Sequence, residues 1–166
     1  ARLGLGYLPQ EPSVFRKLSV EDNLRAVLEN RGLSRVEQEQ ILNDLLVEFN
    51  LEKVRHQLGT QLSGGERRRT EIARAIALNP AFLFLDEPFA GVDPIAVAEI
   101  QEIVSGLRNR SLGIVITDHN VRETLRITDR AYIMHLGEIL VSGTTEEIAQ
   151  NELAKKYYLG SNRSEE

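Results

Sequence analysis

The stretch "LSGGERRRTEIARAIALNPAFLFLDEP", residues 62–88, joins two patterns at Pro80. From Arg67 to Leu78 it is built of good helix formers, with Ile72, Ala73, Ile76 and Ala77 recurring at helical spacing. Ser63 and Glu66 match a capping box, in which side chain and backbone satisfy each other's orphan donors. Yet Gly64 and Gly65 occupy the first turn, each at roughly 1 kcal/mol less helix propensity than alanine. Something other than helix stability must favour bare backbone there. Beyond Pro80, "AFLFLD" is a continuous apolar run closed by Asp86, the mark of a strand buried on both faces of a parallel sheet. A helix feeding such a strand predicts an α/β fold.

Outward from this stretch the same alternation continues. Leu3, Leu5 and Tyr7 read as a short strand ending at Pro9. From there to Leu78 the chain reads as helical, with capping patterns at Ser19 to Asp22 and Ser34 to Glu37, and with Ile41, Leu42, Leu45 and Phe49 on one face. Downstream, "DPIAVAEIQEIVSGLRNR" predicts a helix, "GIVIT" a second buried strand and "NVRETLRI" another helix. This is βαβ logic. "RAYIMHLGEILVSG" predicts two strands joined near Gly137, "TTEEIAQNELAKKYYLG" terminal helices, and "SNRSEE" a frayed tail.

Composition narrows the function classes. The 166 residues are 42% hydrophobic and 27% charged, with a net charge of -5 and no cysteine. That balance does not favour a general nucleic-acid binder, which needs a basic face, and it leaves no disulfide or thiolate metal site. A cytoplasmic setting is the expectation. No apolar run reaches the roughly 18 to 20 residues of a membrane helix, so direct membrane insertion is not expected. The single methionine is Met134, and the chain opens inside a strand pattern. Together these lead us to expect a fragment.

Ligands in α/β sheets sit at the C-terminal ends of the strands. Three such ends carry polar residues here: Gln10, the pair Asp86 and Glu87, and the pair Asp118 and His119. Adjacent carboxylates on an extended chain face different ways, so one can hold a hydrated Mg²⁺ while the other orients or deprotonates a water. Each residue also has a plainer role open to it. "DEP" could simply begin a loop, His119 a helix, and Ser63 with Glu66 could be capping alone. Arg67, Arg68 and Arg69 most often form a solvated face.

Their joint order carries a resemblance. "YLPQ" with Gln10 is similar to a Q-loop, "LSGGE" (residues 62–66) to the signature motif, and "FLFLDE" to a Walker B strand. "AGVD" with Asp93 is similar to a D-loop, and "TDHN" with His119 to an H-motif. The chain thus resembles the ATPase subunits of ABC transporters from the middle of the domain to its end. The resemblance implies part of a RecA-like P-loop NTPase core: residues 1–17 and 79–166 as core, residues 18–78 as an inserted helical subdomain. It also implies ATP and Mg²⁺ as ligands, a homodimer, and membrane-spanning partner subunits at the inner face of the membrane.

The implied roles follow residue by residue. Asp86 and Gln10 serve the metal, Glu87 the attacking water and His119 the γ-phosphate. Ser63, Gly64, Gly65 and Glu66 close the nucleotide bound by the partner subunit, where glycine backbone at a helix start suits an anion. Asp93 links the two sites. Phe15, with Arg16 at its rim, is the anchor for membrane subunits, with core packing equally open to Phe15. The Walker A pattern is absent, because no Gly-Lys pair occurs, so the chain alone is expected to be inactive. Its incomplete sheet is expected to expose an edge that invites association. The finer resemblance is to the ATPases of lipopolysaccharide export. Branched-chain amino-acid importers, soluble non-transport ABC ATPases and a stand-alone interaction module are the alternatives.

Overall fold

The computed structural model describes residues 4–155. Leu3, the "YYLG" segment and the tail expected to fray lie outside them. The chain divides into two compact units, Ala1–Thr117 and Asp118–Glu166.

The first unit is built on a parallel three-stranded sheet. Strand β1 (Leu5–Leu8) pairs with β2 (Phe82–Asp86), which pairs with β3 (Gly113–Thr117). Between β1 and β2 the chain makes a long helical excursion: α1 (Val20–Leu28), α2 (Arg35–Glu48) and α3 (Gly64–Ala77). Capping starts each helix where expected. Ser19 accepts from the Asp22 amide, and Ser34 and Ser63 each form a complete capping box, with Glu37 and Glu66. The helices bury Leu24, Leu28, Leu42, Leu45 and Ile72 almost completely. Helix α4 (Pro94–Gly106) then connects β2 to β3, with Pro94 in its first turn, where the missing N–H costs nothing.

One expectation about the sheet is corrected. Leu83 and Leu85 are buried, but Phe82 and Phe84 are 52% and 39% exposed. β2 is therefore covered on one face only. Register explains the sorting: Leu5 lies opposite Phe82, and Tyr7 opposite Phe84, which also faces Val115. These five residues share one face of the sheet, and all are exposed. Within this unit β1 and β3 are the edge strands.

The second unit holds α5 (Val121–Leu125), an antiparallel hairpin of β4 (Arg130–His135) and β5 (Glu138–Thr144), then α6 (Thr145–Gln150) and α7 (Glu152–Ala154). Its core is Leu125, Ile133, Ile148 and Ala154. The hairpin turns at Leu136 and Gly137, both at positive φ, as two-residue turns require. No described helix is long and apolar enough to cross a membrane.

Candidate functional site

The C-terminal ends of β1 and β2 bring Gln10, Asp86 and Glu87 together. Asp86 closes β2 beside Thr117 of β3, and its two carboxylate oxygens accept from two hydroxyls: Oδ1 from Thr117 at 2.6 Å and Oδ2 from Tyr7 at 3.0 Å. The Thr117 bond first, then the Tyr7 bond and the Arg68 charge, hold the Asp86 carboxyl below the usual range; the same contact pushes the Tyr7 phenol up. Asp86 is thus ionised at neutral pH.

Glu87 follows in the left-handed region, at φ 42. That conformation is costly for a non-glycine residue and persists only where its surroundings hold it. Here the Glu87 N–H donates to the Thr117 carbonyl at 2.7 Å, and its own carbonyl accepts from Ala90 N at 3.1 Å and Arg68 Nη2 at 3.0 Å. The turn redirects the side chain, and Glu87 Oε2 accepts from Gln10 Nε2 at 2.7 Å. Two adjacent carboxylates therefore have separate partners.

A clamp missed in the sequence organises this corner. Arg68 and Arg69 are buried, not solvated as the arginine run suggested. Arg68 donates to the carbonyls of Pro9 (2.8 Å), Asp86 (2.9 Å), Glu87 (3.0 Å) and Pro88 (3.1 Å), and pairs with Glu71 at 3.3 Å. Glu71 in turn accepts from the amides of Ser13 and Val14. Helix α3 thereby grips both the loop after β1 and the turn after β2. A planar guanidinium with five donors suits a cluster of carbonyls as lysine would not. Nothing within the arginine run marks which of its members turns inward, because the carbonyls that decide it come from distant segments.

The opening glycines of α3 have a local reason as well. A Cβ on Gly65 would lie 2.5 Å from the Ala96 Cβ of α4, and one on Gly64 would lie 3.4 Å from the Gly91 carbonyl. Bare backbone lets the two helix starts meet. Ser63 Oγ accepts from the Glu66 amide at 3.2 Å, and Glu66 Oε2 from the Ser63 amide at 2.8 Å. Asp93 caps α4, accepting from Ile95 and Ala96. A cleft runs between these pieces, lined by Gln10, Pro12, Gly64, Arg67, Gly91 and Val92.

Phe15 is 49% exposed and therefore no core residue, and its ring lies 4.5 Å from the Arg74 guanidinium. Its loop is held by the fully buried Asn23, which bonds both the Phe15 N–H and its carbonyl. Arg16 is exposed beside it. His119 lies in the second unit, its side chain 76% exposed and its Nδ1 3.9 Å from Asp118 Oδ1.

The strand-end carboxylates, the glycine-led helix and their order match a known family. The family model described as ABC transporter covers residues 1–90, more than half of the chain. The chain belongs to the ABC transporter ATPase family. Relatives of this ABC ATPase chain include the lipopolysaccharide export system ATP-binding protein LptB of Acidithiobacillus ferridurans, 56% identical over 96% of this chain and 66% of that protein. LptB of Escherichia coli K12 is 57% identical over 96% of the chain and 67% of its own length. An uncharacterised ABC transporter ATP-binding protein of Rhizobium meliloti is 57% identical over 99% and 61%. The chain thus spans about two thirds or less of these first relatives. Among solved structures, a component of the cbiONQ transporter complex of Clostridium perfringens superposes with TM-score 0.83 at 26% identity, over 95% of this chain and 64% of that one. A dimeric ATP-binding cassette bound to ADP and Pi superposes with TM-score 0.73 at 25% identity, over 85% and 62%.

The ABC ATPase corner suits Mg²⁺ in its donor chemistry. Asp86 and Gln10 offer hard oxygens, and no group of three metal-ligating side chains occurs among the described residues. A cation held here would keep most of its ligands as water and phosphate, as Mg²⁺ prefers.

Proposed function

We propose that the protein containing this chain is the ATP-hydrolysing subunit of a transporter that exports lipopolysaccharide from the inner membrane. The observation that carries the hydrolytic part is the Gln10 to Glu87 contact at 2.7 Å beside an ionised Asp86, at the ends of adjacent parallel strands. The relatives named LptB support the cargo.

In this reading Glu87 polarises the attacking water, a role in which a positioned carboxylate supplies about 10²–10⁴-fold. Gln10, already bonded to Glu87, orients that water and follows the γ-phosphate. Asp86 and Gln10 would hold the Mg²⁺ that accompanies ATP, and that ion would supply positive charge against the transferring phosphoryl group. His119 contacts the γ-phosphate. The N-terminus of α3, with Ser63, Gly64, Gly65 and Glu66, closes on nucleotide held by a second copy in a homodimer, and Asp93 lies at that interface. Residues 18–78 act as the helical subdomain, and residues 1–17 and 79–166 as core. Phe15 and Arg16 meet the membrane-spanning subunits, which keep the ATPase peripheral on the cytoplasmic face. Lacking a Gly-Lys pair, these 166 residues alone are expected to bind Mg-ATP weakly and not to turn it over.

The test is purification of the full gene product with its co-encoded membrane subunits. The reading expects a stable complex whose Mg-ATPase rate responds to lipopolysaccharide. A complex that responds instead to a branched-chain amino acid, or a subunit that recruits no membrane protein, would contradict it.

A further inference from the structure

We propose that Tyr7 and Thr117 are positioning residues that lock the Asp86 carboxylate in one orientation, the one it presents to a divalent cation. This rests on the reading of Asp86 as a metal-holding carboxylate. The sheet register produces the arrangement. Thr117 lies directly across from Asp86 on β3, while Tyr7 on β1 lies across from Phe84, two residues before Asp86 on the same face. A tyrosine is long enough to reach the diagonal neighbour in a sheet. Asp86 thus has one hydroxyl from each flanking strand, at 2.6 Å on Oδ1 and 3.0 Å on Oδ2.

The terminal torsion of an aspartate is broad and roughly two-fold. A single hydrogen bond leaves the carboxylate free to pivot about the bonded oxygen. Two donors on different oxygens, approaching from opposite strands, remove that pivot while leaving lone pairs on both oxygens for a metal or its waters. Partners of this kind, which orient a metal ligand without touching the metal, set affinity. Within this chain the Tyr7 side chain is 62% exposed, and its side-chain hydrogen bond goes to Asp86. Its hydroxyl is the part with a defined task.

The experiment uses the full gene product and Mn-ATP as the probe, with enzyme-bound Mn²⁺ followed by electron paramagnetic resonance. Thermal unfolding of each variant is recorded alongside. Tyr7→Phe and Thr117→Val each remove one hydroxyl at nearly constant shape; each is expected to weaken Mn²⁺ binding about tenfold with little change in unfolding midpoint. Thr117→Ser, which keeps the hydroxyl, is expected to restore it, and Asp86→Asn to abolish it. Wild-type affinity in both Tyr7→Phe and Thr117→Val, with binding lost in Asp86→Asn, overturns the positioning role alone. Absent binding in the wild type, or binding indifferent to Asp86→Asn, overturns the proposal through the metal reading beneath it.

Discussion

The two faces of the three-stranded sheet are equally apolar in sequence and opposite in circumstance. One carries Leu8, Leu83 and Leu85, each at most 1% exposed; the other carries Leu5, Tyr7, Phe82, Phe84 and Val115, all at least 39% exposed. Both faces run to the same strand ends, so the corner that holds Asp86 and Glu87 sits where a packed half meets an open half. The contrast teaches that a continuous apolar run reports the capacity to be covered on both faces, not the covering itself.

The sharpest way to break the comparison is a matched pair of truncations. Leu85→Ala should cost about 2–5 kcal/mol, the usual range for a buried leucine, whereas Phe84→Ala should cost about 1 kcal/mol or less at its exposed position. Urea denaturation of both variants reads the difference, and equal costs would mean that the open face is packed after all. Next comes the clamp on the covered side. Arg68→Ala strands the buried Glu71, and removing one member of such a pair costs about 3–5 kcal/mol. Arg68→Met combined with Glu71→Leu should cost less than Arg68→Ala alone, by the same denaturation.

A smaller effect belongs to the helical block. Glu21 is bonded by Arg55 and Arg25, and these bonds, with the Arg55 contact first, hold its pKa at about 2 against an ordinary 4.5. A depressed folded pKa stabilises fully above the unfolded value and is lost as pH falls from about 4.5 to about 2. Partial solvent access to Arg25 and Arg55 leaves about 1–2 kcal/mol of that effect. Stability measured against pH should lose this much across the window, and Glu21→Gln should flatten the loss. Last, Phe82→Thr with Phe84→Thr should scarcely change stability but should reduce concentration-dependent association of the chain, followed by light scattering.

Much of this fold is legible in residue pattern. The helix starts at Ser34 and Ser63, the three parallel strands and the hairpin at Gly137 follow from local chemistry that operates within a few residues. Gln10 and Glu87 could be placed at strand ends by the same logic, although their direct contact depends on the positive φ of Glu87, which no neighbour in sequence announces. Arg68 was illegible for a different reason. A charged run gives no sign of which member turns inward, and that is decided by four carbonyls contributed by segments about 20 and 60 residues away in sequence. Tyr7 was missed because a diagonal contact exists only once the register of β1 on β2 is known. Gly65 was marked as needing bare backbone, and the contact with Ala96 supplies a packing reason in addition to the one proposed for nucleotide.

The most direct test of the account is Mg-ATP hydrolysis by the full gene product carrying Glu87→Gln, with nucleotide binding measured in parallel. The account predicts that binding persists while turnover falls by about 10²–10⁴-fold, the share a positioned general base supplies. Turnover that survives the substitution would contradict it, and would leave the Gln10 to Glu87 contact as a structural tie between two strand ends.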